Sequence, residues 1–213
     1  MMRTWIGVAL SVAWLFMAEA ALAASPVGPP VGPRDAVEAA VARFMSIIQN
    51  DGQNEADGAV GGERSEQIRR IVREMFDFDE ISRRALSRHW QALPREDQAE
   101  FVTLFRDLLE RAYLTQVEAA AGSQKIAFLG ESIENGSATV RSKLVTRNGG
   151  EIPLDYRLHL RDGSWRIYDV AVQGVSFITS YRTQFDRVIR AESYSSLRER
   201  LQKKAMETTA AQR

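Results

Sequence analysis

The feature that most constrains the fold is a change of periodicity in the second half of the chain. Segment 151–161, EIPLDYRLHLR, alternates apolar with polar residues, which predicts a strand with one buried and one solvated face. Three dipeptides typical of hairpin turns punctuate this region: Asn135-Gly136, Asn148-Gly149 and Asp162-Gly163. We therefore predict a four-stranded antiparallel meander, with strands near 125–133, 138–147, 151–161 and 165–172.

Helical periodicity occupies the rest of the chain. Six helices are predicted from apolar residues that recur at three- and four-residue spacing: 37–48, 68–75, 76–86, 94–121, 175–190 and 194–207. Asp77 or Asp79 is expected to cap the third helix, and Pro94 to open the longest. Helices followed by a meander and more helices indicate an α+β fold, with the helices packed on one face of the sheet.

The two ends of the chain are expected to lie outside the folded domain. Arg3, the apolar stretch 5–17 and the sequence Ala21-Leu22-Ala23 are typical of a secretory signal peptide cleaved after Ala23. The predicted organisation has four parts: a signal peptide over 1–23, a disordered Pro/Gly-rich segment over 24–34, one domain over 35–207 and a flexible tail over 208–213.

Composition excludes several classes of chemistry. The sequence has no cysteine, which excludes thiol catalysis and thiolate metal sites. Its 28 basic residues balance 28 acidic ones, so no overall charge favours binding to nucleic acid. His89 and His159 lack the spacing of metal ligands, and no Gly-rich loop for phosphate is present. We predict neither an enzyme nor a metal or cofactor site.

Apolar side chains are the remaining candidate for function. Segment 168–185, YDVAVQGVSFITSYRTQF, starts as a strand, passes Gly174 and continues as a helix. We expect a positive φ at Gly174. The apolar candidates on the long helix, the sheet and this segment are Phe101, Phe105, Leu108, Leu109, Tyr113, Leu154, Tyr156, Leu158, Val170, Val172, Val175, Ile178, Tyr181 and Phe185.

Asp169 is the one carboxylate within the apolar run IYDVAVQGV. A buried carboxylate is costly unless it is paired. Arg182, on the following helix, is the expected partner. The pair Asp169–Arg182 would then fix how that helix folds back on the sheet.

Several ordered motifs resemble those of the MlaC family, also called the toluene-tolerance family. The segment YDVAVQGVSFITSYRTQF is similar to the family signature, and FDFDEISRRALSRHW at 76–90 to its first motif. PREDQAEFVTLFRDLLERAYL at 94–114 resembles the long helix that follows, and SYSSLRERLQKK matches the family's last helix in type. The resemblance covers residues 35–206, although the loop 50–62 looks longer and richer in glycine than the family pattern.

The resemblance implies a periplasmic lipid carrier. In that family an apolar pocket between sheet and helices takes acyl chains, and Gly174 would turn the chain from the sheet wall into the helix wall. The implied partners are a phospholipid, an outer-membrane lipoprotein complex and an inner-membrane ABC transporter with its membrane-anchored lipid-binding subunit. We expect a monomer that supports outer-membrane lipid asymmetry.

Three other functions stay open from the sequence. A hopanoid is the nearest competing cargo, because some family members accompany hopanoid synthesis. A closed core without bound lipid would indicate a periplasmic interaction module. A small hydrolase would need an unexpected pair such as Ser176 with a histidine, although the G-x-S-x-G pattern of a nucleophile elbow is incomplete here.

Overall fold

The computed structural model describes the backbone of residues 31–50, 60–121, 125–146 and 148–211, and the side chains of 31–48, 63–112, 125–146 and 148–204. The predicted signal peptide and residues 24–30 of the predicted disordered segment lie outside these ranges. No helix within the described part has the length and apolarity needed to cross a membrane.

The described ranges hold six α-helices and one five-stranded antiparallel sheet. The helices are α1 (Pro33–Asn50), α2 (Val60–Met75), α3 (Phe78–Leu86), α4 (Arg95–Ala121), α5 (Phe177–Ala191) and α6 (Tyr194–Ala211), with a 3₁₀ turn at Ser87–Ala92. The strands are β1 (Lys125–Glu134), β2 (Ser137–Val145), β3 (Glu151–Arg161), β4 (Ser164–Val172) and β5 (Val175–Ser176), paired in that order. The α+β prediction is confirmed.

The prediction of four strands was wrong, because β5 forms a short hairpin with the end of β4. Ala171 pairs with Ser176, and Val172 pairs with Val175. Gln173 and Gly174 connect them with φ angles of 51° and 78°, as a tight primed turn requires. The sequence Gln-Gly is a weaker turn signal than Asn-Gly or Asp-Gly, so this hairpin was missed. The expected positive φ at Gly174 is confirmed.

Helix limits differ from the predicted ones at both ends of the domain. α1 begins at Pro33, two residues inside the segment predicted to be disordered, and Pro is favoured at a first helical position. The Arg34 backbone N–H also donates a hydrogen bond of 2.7 Å to Glu131 on β1. α6 continues to Ala211, beyond the predicted end at 207.

Strand pairing separates the side chains of the sheet into two faces. We call the face that carries Val140, Tyr156 and Leu158 the inner face, since these residues are cross-strand neighbours and pack with Val37 of α1. The other face, the outer face, carries Arg157 opposite Asp169. Period-two alternation along each strand produces this division.

The prediction that all helices pack on one face needs correction. α1 and α2 contact the sheet through residues of the inner face, including Val37 and Met75. On the outer face, His159 contacts Asp77 at the start of α3, and Asp169 accepts a hydrogen bond from the first turn of α5. The chain passes between the two sides at Phe76, which forms a parallel bridge with Ile167 on β4.

A second, helical cluster joins α3, α4, α5 and α6. Its centre is aromatic: the Phe185 ring lies edge-on to Phe101 and Phe105, with centroids 5.7 and 5.1 Å apart. Such pairs add about 0.5–1.5 kcal/mol each beyond the burial of their area. The described helices are therefore held together by their own core as well as by contact with the sheet.

Substitution of Gly174 by valine is expected to destabilise the fold by roughly 1–2 kcal/mol, because an L side chain is strained at its φ. A Cβ at this position would have no atom within 4 Å, so the loss would come from the backbone and not from a clash. Urea unfolding measures it. Gly174→Asn is the matched control, since asparagine tolerates a positive φ; equal losses for both variants would contradict this cause.

Candidate functional site

The inner face of the sheet is covered unevenly. Toward the 135–136 and 162–163 turns, five of its apolar side chains are buried in the cluster that includes Val37 of α1, whereas Ile133 and Leu160, next to the turns, are exposed. The five are Ala138, Val140, Tyr156, Leu158 and Ile167. Toward the other end of the strands, its apolar side chains are only half-buried: Ile126, Phe128, Leu144, Ile152, Leu154, Val170 and Val172. We call this second set the open half of the inner face.

The open half forms continuous rows across the sheet. Phe128 lies opposite Ser142, which lies opposite Leu154, and the row continues through Val172 to Val175. Val175 is 65% exposed, so the row reaches solvent at the edge formed by β5. A row of mainly apolar side chains that is partly open to water is suited to contact an apolar ligand.

The predicted lining residues divide between two clusters. The helical cluster contains Phe101, Phe105, Leu108, Leu109, Ile178, Tyr181 and Phe185. The sheet cluster contains Leu154, Tyr156, Leu158 and Val170. Val172 is half-buried and Val175 is exposed, whereas the Tyr113 side chain lies outside the described ranges.

The division has a physical cause in the aromatic packing of α4 and α5. Phe105 lies edge-on to Tyr181 with ring centroids 5.0 Å apart, so these helices bury their apolar faces against each other. The spacing of apolar residues identified an apolar face on α4 and another on α5. It could not show that these two faces pack against each other. Phe128, Leu144 and Ile152 were not among the predicted site residues.

Two clefts adjoin the sheet in the described part. One of about 160 Å³ lies between α1, the end of α2 and the inner face, beside Val37, Met75 and Trp165. An open hollow of about 520 Å³ beside Gly174 is bordered by Arg157 and Thr179. The first is smaller than the roughly 300–1,000 Å³ of typical ligand pockets. The second is lined mainly by polar groups.

Asp169 is held by three donors, and the expected partner Arg182 is not one of them. Arg157 donates to its Oδ2 at 3.0 Å, the Ser176 hydroxyl donates to the same oxygen at 2.6 Å, and the Ile178 backbone N–H donates to Oδ1 at 3.1 Å. Arg157 was not predicted as a partner because it lies 12 positions earlier in the chain, on the neighbouring strand β3. Strand register, which the sequence did not fix, makes the two direct neighbours.

Ser176 has a structural role in this arrangement. Its hydroxyl caps α5 by accepting a hydrogen bond of 3.0 Å from the Thr179 N–H, while it donates to Asp169. The two histidines bond to other carboxylates: His89 to Asp186 and His159 to Asp77. A Ser–His nucleophile of the kind that a hydrolase would need is therefore not assembled around Ser176 in the described part.

A second buried carboxylate, Asp77, ties α3 to the sheet. Its Oδ1 accepts the Glu80 N–H at 3.0 Å, which caps α3 as predicted, and Arg161 lies 2.7 Å from its Oδ2. Burial opposes ionisation of Asp77, but these hydrogen bonds, together with that of His159, outweigh it and hold the pKa of the carboxyl below its usual value. These hydrogen bonds join the start of α3 to β3.

Comparison with known proteins agrees with this architecture. A family model described as MlaC protein matches residues 38–203, which is most of the chain. The structure is similar to that of a phospholipid-binding protein from Ralstonia solanacearum, solved in complex with a phospholipid. The TM-score is 0.71 at 22% sequence identity, covering 83% of this chain and 98% of that one.

The structural likeness, at that identity, shows a shared fold. A comparison with curated proteins found no match. The family assignment therefore rests on the sequence match, which runs from within α1 to within α6 and includes the whole sheet. The chain belongs to the MlaC family.

Proposed function

We propose that the protein is a periplasmic carrier that binds a phospholipid through its acyl chains and moves it between the outer and inner membranes. The observation that carries the proposal is the open half of the inner face in a chain of the MlaC family. The solved protein of similar fold was itself found with a phospholipid. The open half offers seven large apolar side chains and no charged one.

The energetics of transfer favour such a surface. Exposure of a methylene group to water costs about 0.8 kcal/mol, so a diacyl lipid with roughly 30 of them would lose on the order of 20 kcal/mol in crossing water unprotected. A carrier must replace most of that contact with apolar side chains. Because the cleft at the inner face holds about 160 Å³, we expect loading to widen the space above the sheet.

The partners proposed for this role are an outer-membrane lipoprotein complex and an inner-membrane ABC transporter with a membrane-anchored lipid-binding subunit. Both follow from the family and not from a surface seen on the described residues. The carrier would act as a monomer, without cofactor or covalent chemistry, because binding and release of lipid require neither. In this role the protein would help maintain the lipid asymmetry of the outer membrane.

Native mass spectrometry of the mature protein from a periplasmic extract tests the proposal, followed by organic extraction of the bound material. A mass excess of one phospholipid is the expected result. A pentacyclic triterpenoid would contradict the phospholipid assignment and indicate a hopanoid carrier. A protein that carries nothing and takes up no added phospholipid would contradict the carrier function itself.

Leu154→Asn is expected to weaken phospholipid binding by about tenfold or more. Leu154 lies in the centre of the open half, and burial of a leucine side chain is worth about 1.5–3 kcal/mol, where 1.4 kcal/mol is tenfold in affinity. Titration with a fluorescent phospholipid measures the change. Leu160→Asn, on the same strand, is the matched control because Leu160 is 45% exposed at the far end; equal losses would contradict the location of the site.

A further inference from the structure

Tyr156 brings a phenol hydroxyl to the inner face, beside the open half. Its row runs from Val140 through Tyr156 to Val170, next to the row that contains Leu154. Tyr156 is only 8% exposed, and this burial raises the pKa of its phenol. The side chain is therefore a neutral hydroxyl donor fixed within an apolar wall.

The Ser142 and Tyr156 hydroxyl groups of the inner face differ in whether they have a hydrogen-bond partner. Ser142, which is buried, donates a hydrogen bond of 2.6 Å to the Leu154 carbonyl. Tyr156 has no hydrogen-bond partner among the residues whose side chains are described. Its oxygen is also not one of the fully enclosed polar atoms that lack a partner, so it retains contact with open space.

A bound lipid that displaces water from this oxygen must supply an acceptor, because a buried hydroxyl without a partner costs free energy and buried tyrosines usually find one. In a lipid whose chains lie on the open half, the neutral acceptors joined directly to the chains are the two ester carbonyls. We propose that Tyr156 donates a hydrogen bond to an acyl ester carbonyl of the bound lipid. This inference rests on the proposed function, and it makes Tyr156 a specificity-determining residue that favours ester-linked over ether-linked glycerolipids.

The test compares a short-chain diester phosphatidylcholine with its dialkyl ether analogue, which lacks the carbonyls. Dissociation constants are measured by calorimetry for the full mature protein and for two variants, Tyr156→Phe and Tyr168→Phe. Tyr168→Phe is the matched control, because it removes a hydroxyl from the neighbouring strand, where Tyr168 packs against the helical cluster. Phenylalanine keeps the ring in both variants, so folding is preserved.

The unmodified protein and Tyr168→Phe should bind the diester about three- to tenfold more tightly than the diether, as expected for one hydrogen bond. Tyr156→Phe should bind both lipids with the affinity that the unmodified protein has for the diether. Equal affinities in the unmodified protein, or a preference that survives in Tyr156→Phe, would overturn the inference and leave the carrier function intact. Failure of the unmodified protein to bind either lipid would overturn the carrier function.

Discussion

Asp77→Ala should destabilise the protein by about 2–4 kcal/mol, because it removes an N-cap worth about 0.5–2 kcal/mol and charge-assisted hydrogen bonds worth about 1.5–3 kcal/mol. The Asp77 side chain is 1% exposed and bonds to His159 and Arg161 on β3 and to the first turn of α3. Its removal takes away an N-cap and also leaves the Arg161 guanidinium without its closest acceptor. Chemical unfolding in urea at pH 7 measures the loss.

Asp79→Ala is the matched control for this prediction. Asp79 is 66% exposed and lies 3.4 Å from the same guanidinium, and exposed pairs contribute about 0–1 kcal/mol. If both variants lose the same amount, burial of Asp77 is not the cause of its effect. If Asp77→Ala lowers the free energy of unfolding by less than about 1 kcal/mol, the loss is no more than that of an N-cap. The hydrogen bonds to β3 would then add no stability.

Acid should remove the contribution of Asp77. The folded-state pKa of this carboxyl lies below its ordinary value of 3.8, so the stabilisation is fully present above that value and is lost as the pH falls through the folded pKa. The difference in unfolding free energy between the unmodified protein and Asp77→Asn should therefore shrink as the pH falls below the ordinary pKa of the carboxyl. A difference that grows as the pH falls below that value would contradict this sign.

The sequence predicted those features that depend only on residues close together in the chain. The alternation of Ile152 to Leu160 predicted β3, and the Asn135-Gly136 and Asp162-Gly163 turns predicted two hairpins with positive φ at all four residues. Asp77 was one of the two residues expected to cap α3. In each case the relevant contacts lie within a few positions of the chain. Elements of this kind are fixed by backbone preferences that a sequence displays directly.

Partnerships between distant elements could not be predicted in the same way. Asp77 and His159 are 82 positions apart, and their contact depends on the passage of the chain along the edge of β4. Similarly, Phe105 and Phe185 were both predicted to lie on apolar faces. Only the structure shows that α4 packs on α5 so that these two rings contact each other. The open half of the inner face is the part of the sheet that these contacts leave uncovered.

The second large effect is expected at Asp169, where Asp169→Ala should cost about 3 kcal/mol. This carboxylate is 2% exposed and receives hydrogen bonds from Arg157 on β3, Ser176 on β5 and the Ile178 N–H of α5. It therefore joins the sheet to the start of α5 at the edge where the open half reaches solvent. Loss of Asp169 should loosen this junction as well as leave its donors unsatisfied.

Double-mutant cycles identify which arginine acts on Asp169. Urea unfolding of Asp169→Ala, Arg157→Ala and the double variant should give a coupling energy of about 0.5–3 kcal/mol, as for residues in direct contact. The same cycle with Arg182→Ala should be additive within about 0.5 kcal/mol. The opposite pattern, with coupling to Arg182 and none to Arg157, would show that α5 is fixed by its own exposed arginine and not by the strand register that aligns Arg157 with Asp169.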